Sequence, residues 1–214
     1  MILQHKLQRN DFIQGIIHAA QPGDVLSAFV REVHSLLPLF MADADKISAG
    51  TRPYHSGSVL QHVARCMNEV AGDPLAVWIA IAHDAGKLTT PSALLPHHYG
   101  HELRGITLAA IWADELGLSE EYKNAGVFTA KWHMNAGRYA ISRPGKKHDI
   151  LMASRESGIF TQFWKLVDAD TKSRISEQAA DDLKTILAAV PDADLSPDML
   201  RQRRIEALCK HTTK

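Results

Sequence analysis

Apolar residues recur along this chain at three- and four-residue intervals, and no stretch sustains a strict apolar and polar alternation, so the pattern predicts helices and no strands. From Asp11 to Ala20 one face carries Phe12, Ile13, Ile16, Ile17 and Ala20, and Pro22-Gly23 breaks the run. Asp24 to Leu37 shows Val25, Leu26, Phe29, Val33, Leu36 and Leu37 as its stripe and ends at Pro38, ahead of a loop reaching Gly57. Ser58 is placed to cap a third helix with Val59, Val63, Cys66 and Val70 at helical spacing, and Gly72 closes it. Asp73 as cap and Pro74 at the first helical position then introduce Leu75 to Ala82, which has no polar face and is expected to be central and buried. Further helices are expected over Glu102 to Leu116, Glu120 to Met134, Ile150 to Asp170, Gln178 to Val190 and Asp198 to Cys209. The reading is an all-α chain.

Composition narrows the function classes. Lys plus Arg and Asp plus Glu number 24 each, a formal charge of zero, so bulk electrostatic capture of nucleic acid or membrane is not expected. The longest apolar run, Leu75 to Ala82, is far short of the roughly 20 residues a bilayer span needs. Met1 to Asn10 has no signal pattern, and a cytoplasmic location is expected. Cys66 and Cys209 are too few for a disulfide framework or a cysteine zinc site. Histidine stands out: there are 12, and those from His55 to His148 make up most of them. Histidine is the commonest protein metal ligand.

His83-Asp84 ends the apolar helix. Neighbours on a helix point about 100° apart, yet both can reach an ion lodged beside the helix end. An aspartate closing such a run is costly without a cation; the plainer reading is a polar helix end with its imidazole on a carbonyl. His62 borders the inward stripe of the third helix, next to the direction of Cys66. Asp170 follows Phe163, Leu166 and Val167 at the spacing of one buried face, where it wants a metal ion, the plainer readings being a buried cap or an ion pair with Lys172 or Arg174. His62, His83, Asp84 and Asp170 together would make a hard-to-borderline divalent site.

The order His62, His83-Asp84, Asp170 resembles the His, His-Asp, Asp signature of the HD superfamily of metal-dependent phosphohydrolases, an all-helical fold. The run from Ile81 to Pro91, with Leu95 to Gly105, is similar to the HD domain of bacterial tRNA nucleotidyltransferases, the CCA-adding enzymes, and the similarity extends from Leu36 through Trp132-His133 to Arg174. The resemblance implies one HD-type helical domain over residues 55–214, with a short N-terminal helical extension over residues 1–54. Those enzymes also carry a nucleotidyltransferase head. Residues 1–54 are too few for it and no Gly-rich phosphate loop occurs, so nucleotide addition is not expected of this sequence.

What the resemblance implies is a phosphohydrolase acting on a nucleotide phosphomonoester or a 2′,3′-cyclic phosphodiester through a divalent ion. Asp84 would accept a proton from water as well as bind metal, and Lys87, four residues after His83, would reach a phosphate oxygen or else only complement the helix dipole. His101 and His133 are candidates for a second metal shared through Asp84. Alternatively His98, His101 and Arg104 contact substrate phosphate at a helix N-terminus. Mn, Ni, Mg, Co, Fe and Zn all accept such ligands, and neither the choice among them nor one ion against two is read from the sequence. Lys131 to Lys147, basic and interleaved with Trp132 and Tyr139, reads as a patch for an RNA 3′ end or as a solvated loop. A homodimer through the N-terminal helices, a non-catalytic nucleotide- or tRNA-binding module, and a partner subunit for a separate nucleotidyltransferase are the other readings.

Overall fold

A computed structural model describes residues 2–33, 40–51, 57–190 and 195–212. Among them the chain is helical, with an isolated bridge between Ser48 and Ser58 in place of any strand. Two compact units divide at residues 133 and 134, inside the last turn of α6. The expected end of the second helix at Leu36 to Pro38 and the expected 54/55 boundary fall outside the described residues.

The first unit holds α1 (Ile2–Ile17), α2 (Pro22–Val33), α3 (Val59–Glu69), α4 (Pro74–Ala82), α5 (His101–Glu115) and most of α6 (Glu120–Ala136). Its centre is α4, every residue of which from Ala76 to Ala82 is buried, as an all-apolar helix requires. Asp73 accepts the Ala76 N–H at 3.1 Å to start it. α3 opens with a reciprocal cap: Gln61 N–H donates to Ser58 Oγ at 3.3 Å and Ser58 N–H to Gln61 Oε1 at 3.0 Å. α1 begins well before Asp11, because Leu3 to Arg9 are mostly good helix formers that no breaker interrupts. α2 lies against α3 so closely that a Cβ on Gly23 would sit 2.0 Å from the Ala64 carbonyl oxygen.

The second unit holds α7 (Pro144–Glu156), α8 (Phe160–Thr171), α9 (Ile175–Ala188) and α10 (Pro197–Thr212). Here the expected single helix from Ile150 to Asp170 is two. Gly158 takes φ +76°, and the Ser157 and Gly158 N–H groups turn back onto Ala153 and Arg155 carbonyls, which ends α7. α9 starts ahead of Gln178 because Asp168, at the end of α8, accepts hydrogen bonds from the Ser176 N–H and hydroxyl. The basic run Lys131 to Lys147 does not form a solvated loop or an aromatic platform throughout. Tyr139 and Lys147 are buried, Tyr139 donates to Asp182 at 2.8 Å, and Lys147 Nζ lies 3.9 Å from the same carboxylate.

Candidate metal centre

Helix α4 ends at Ala82, and the next two residues leave it with their side chains inside the first unit. His83 still donates its backbone N–H to Ile79; Asp84 then turns the chain into a short 3-10 segment over Ala85–Thr89. Gly86 is what lets that segment lie on α5, since a Cβ there would stand 1.9 Å from the His101 carbonyl oxygen and 2.5 Å from the Gly105 nitrogen. The close approach sets His101, the first residue of α5, beside Asp84.

Asp84 is 2% exposed, and its oxygens face different histidines. Oδ2 lies 3.2 Å from His62 Nε2 and 3.3 Å from His83 Nε2. Oδ1 lies 3.4 Å from His101 Nε2 and 3.6 Å from His133 Nε2. Within each pair the nitrogens are close: 3.2 Å for His62 and His83, 3.0 Å for His101 and His133. His62, His83, His101 and His133 are all buried.

The outer ring nitrogens decide what the inner ones can do. Nδ1 of His83 is 2.7 Å from the Ala80 carbonyl, Nδ1 of His101 is 2.8 Å from that of His98, and Nδ1 of His133 is 3.0 Å from that of Ala130. A carbonyl only accepts, so each Nδ1 carries a proton, and when such a ring binds a metal it is the Nε2 lone pair that faces inward. Lone pairs 3.0 Å apart repel unless a proton or a cation lies between them. His62 differs: its Nδ1 is 3.4 Å from Arg65 Nη2, a pure donor.

The electrostatics fit a cation. Burial by itself would raise the Asp84 carboxyl; the Lys87 ammonium, with His83, His101 and His133 adding to it, outweighs burial and holds the group well below the usual carboxylate range. Burial, against the pull of Asp84, holds His133 below the ordinary histidine value and so neutral, the form a ligand needs. Lys87 Nζ is 2.7 Å from Asp84 Oδ2, yet the approach is not along a hydrogen-bond direction and that buried oxygen accepts no hydrogen bond. An oxygen so placed has capacity for a metal ion.

The other expected contacts have different partners. Lys87 is buried and also donates to the Ala49 carbonyl at 2.8 Å, so it ties Asp84 to the residue 48–51 loop. His98 is buried with Nε2 2.8 Å from the Ser48 carbonyl and Nδ1 2.7 Å from Thr90 Oγ1, which occupies both ring nitrogens internally. Arg104 donates to the Gly86 and Tyr99 carbonyls and to Thr90 Oγ1. These three brace the segment leading into α5. Asp170 lies in the second unit, half-buried on α8, whose buried face is Phe163, Leu166 and Val167 as expected. Sequence reasoning passed over Cys66, whose sulfur lies within 4.8 Å of ring nitrogens of His62 and His83; the signal was its place one turn after His62.

With this geometry in view, likeness to known proteins adds a family context. The chain resembles multifunctional CCA proteins. That of Xanthomonas axonopodis pv. citri is 31% identical over 218 residues, 91% of this chain and 52% of the relative. Those of Thioalkalivibrio sulfidiphilus and Actinobacillus pleuropneumoniae serotype 5b are 32% and 26% identical, over 56% and 68% of this chain. The chain spans between 29% and 52% of the length of these relatives. No family model and no solved structure matches the chain. Among the described residues no helix is long and apolar enough to cross a membrane.

Proposed function

We propose that the chain is a cytoplasmic metal-dependent phosphohydrolase that cleaves a nucleotide phosphomonoester or a 2′,3′-cyclic phosphodiester, an RNA 3′ end being one form such a substrate takes. The observation that carries this reading is Asp84, a buried carboxylate whose two oxygens face two separate histidine pairs. His62, His83 and Asp84 Oδ2 would hold one divalent ion. His101, His133 and Asp84 Oδ1 would hold another. An ion held there supplies charge neutralisation for phosphoryl oxygens and acidifies water at neutral pH.

The chain's own part is orientation and charge. Asp84, kept ionised, is a good bridge and a weak base, which favours its role as ligand over that of proton acceptor. Lys87 fixes that carboxylate and offsets its charge. Arg104, which has N–H donors beyond the three it uses, is the better candidate for a phosphate oxygen than His98, and His101 is the better candidate for metal.

The test uses metal-stripped protein on 2′,3′-cyclic AMP, 2′-AMP and a generic phosphodiester, with each divalent ion re-added in turn. Turnover that depends on the ion and is lost in His83→Ala and Asp84→Asn is the expected result. Folded protein that binds metal and turns over none of these esters would replace the hydrolase by a nucleotide- or tRNA-binding module.

A further inference from the structure

Cys66 stands on α3 one turn after His62 and is fully buried. Its neighbours on the packing stripe are valines, Val59, Val63 and Val70, so the apolar pattern alone asks only for another small apolar side chain here. What valine lacks is a donor atom. The Cys66 sulfur, a ring nitrogen of His62 and a ring nitrogen of His83 all lie within 4.8 Å of one another. In a tetrahedral site with metal–nitrogen bonds of about 2.1 Å and a metal–sulfur bond of about 2.3 Å, donor atoms stand roughly 3.4–3.6 Å apart. His62 Nε2 and His83 Nε2, at 3.2 Å, are already close to that spacing. A second contact uses the sulfur as an electron-pair donor: Arg65 Nη2 donates to Sγ at 3.4 Å.

We infer that Cys66 is a thiolate ligand at the His62–His83 position and biases that position toward Zn, Co, Ni or Fe over Mg and Mn. Thiolate is a soft ligand, and hard ions that prefer oxygen gain little from it. As the metal–sulfur bond forms the S–H bond breaks and its proton passes to solvent, with no oxidant or reductant needed. The inference rests on the metal centre proposed above and not on hydrolysis.

Cobalt(II) titration tests it, in a Cys209→Ser background that removes the exposed thiol of α10. A cobalt–thiolate bond gives an intense near-ultraviolet charge-transfer absorption that histidine and carboxylate ligands do not give. The band is expected in the Cys209→Ser protein and absent in Cys66→Val/Cys209→Ser, which keeps the stripe apolar and is checked for fold by circular dichroism. Zn affinity in competition with a chromophoric chelator should fall by about tenfold or more, the lower end of what even an outer ligand contributes, while Mn affinity stays unchanged. Cobalt bound without the band, or Zn affinity indifferent to Cys66→Val, overturns the thiolate and leaves the metal centre standing. No cobalt or zinc bound at all overturns both, and turnover enters neither outcome.

Discussion

Lys87 and Asp84 form a pair whose energetics follow from burial. The side chains are 6% and 2% exposed, and Nζ to Oδ2 is 2.7 Å. Replacing Lys87 by Met leaves an ionised carboxylate inside the first unit with imidazoles for company, and breaking a buried pair from one side costs about 3–5 kcal/mol. For a protein of this size that is a fall of about 6–20 °C in melting temperature, at about 2–4 °C per kcal/mol. Asp84→Asn strands the ammonium against the Ala49 carbonyl alone and should cost a similar amount. The double substitution removes both charges, so its cost should fall well short of the sum. The measurement is a double-mutant cycle by urea unfolding near pH 8, above the ordinary histidine value of about 6.5. Tryptophan emission reports mainly on the first unit, which holds Trp78, Trp112 and Trp132. Saturating divalent ion should shrink the cost of Lys87→Met, because the ion then supplies the missing cation. If the double variant equals the sum of the singles to within about 0.5 kcal/mol, the limit for independent sites, Asp84 and Lys87 are not coupled and the electrostatic account of the centre fails.

Gly86→Ala should destabilise by about 1–3 kcal/mol or more, because the atoms a Cβ meets are backbone of α5 and cannot rotate away; a variant that melts with wild type would remove the reason given for His101's position. Arg65→Met should tighten metal binding, since it removes a cation 3.4 Å from both His62 Nδ1 and Cys66 Sγ and lets His62 carry its proton on Nδ1; calorimetric titration showing weaker binding would mean Arg65 holds the ligands in place. Burial holds His98 below its ordinary value, so as pH falls the unfolded chain takes up the proton first. Its contribution is therefore complete above about pH 6.5 and is lost as pH drops toward the folded value; melting curves from pH 7.5 to 5.5 should fall less steeply in His98→Gln, and parallel slopes would contradict this. In the second unit Tyr139→Phe leaves Asp182 without its 2.8 Å donor and should cost about 1–3 kcal/mol, read from emission of Trp164, whose ring is 5.0 Å from that of Tyr139; no change would mean that Lys147 and His211, each 3.9 Å away, satisfy the carboxylate without it.

How far the sequence carries depends on where each determinant lies along the chain. Ser58, Asp73 and Pro74 act on the residues just after them, so the starts of α3 and α4 are readable at sight. The start of α9 is not, because the carboxylate that holds its first turn, Asp168, belongs to the preceding helix and meets Ser176 only once the two are packed. The break between α7 and α8 was present as Ser157-Gly158, but an apolar period that continues across the glycine hid it. The same logic sorts the site. His83-Asp84 is local and legible from the cost of an aspartate closing an apolar helix. His101 and His133 are 32 residues apart and their 3.0 Å approach is a tertiary fact, to which no spacing rule leads without the HD resemblance. For Lys87 and His98 the sequence offers phosphate contact among its readings, and what it has no means of showing is their burial against Asp84, Ala49 and Ser48. Cys66 shows the opposite failure. Periodicity reports which face a residue occupies, and on a face shared by core and ligands a small buried thiol satisfies the packing pattern whether or not its sulfur binds metal, so only the distances to His62 and His83 separate the two.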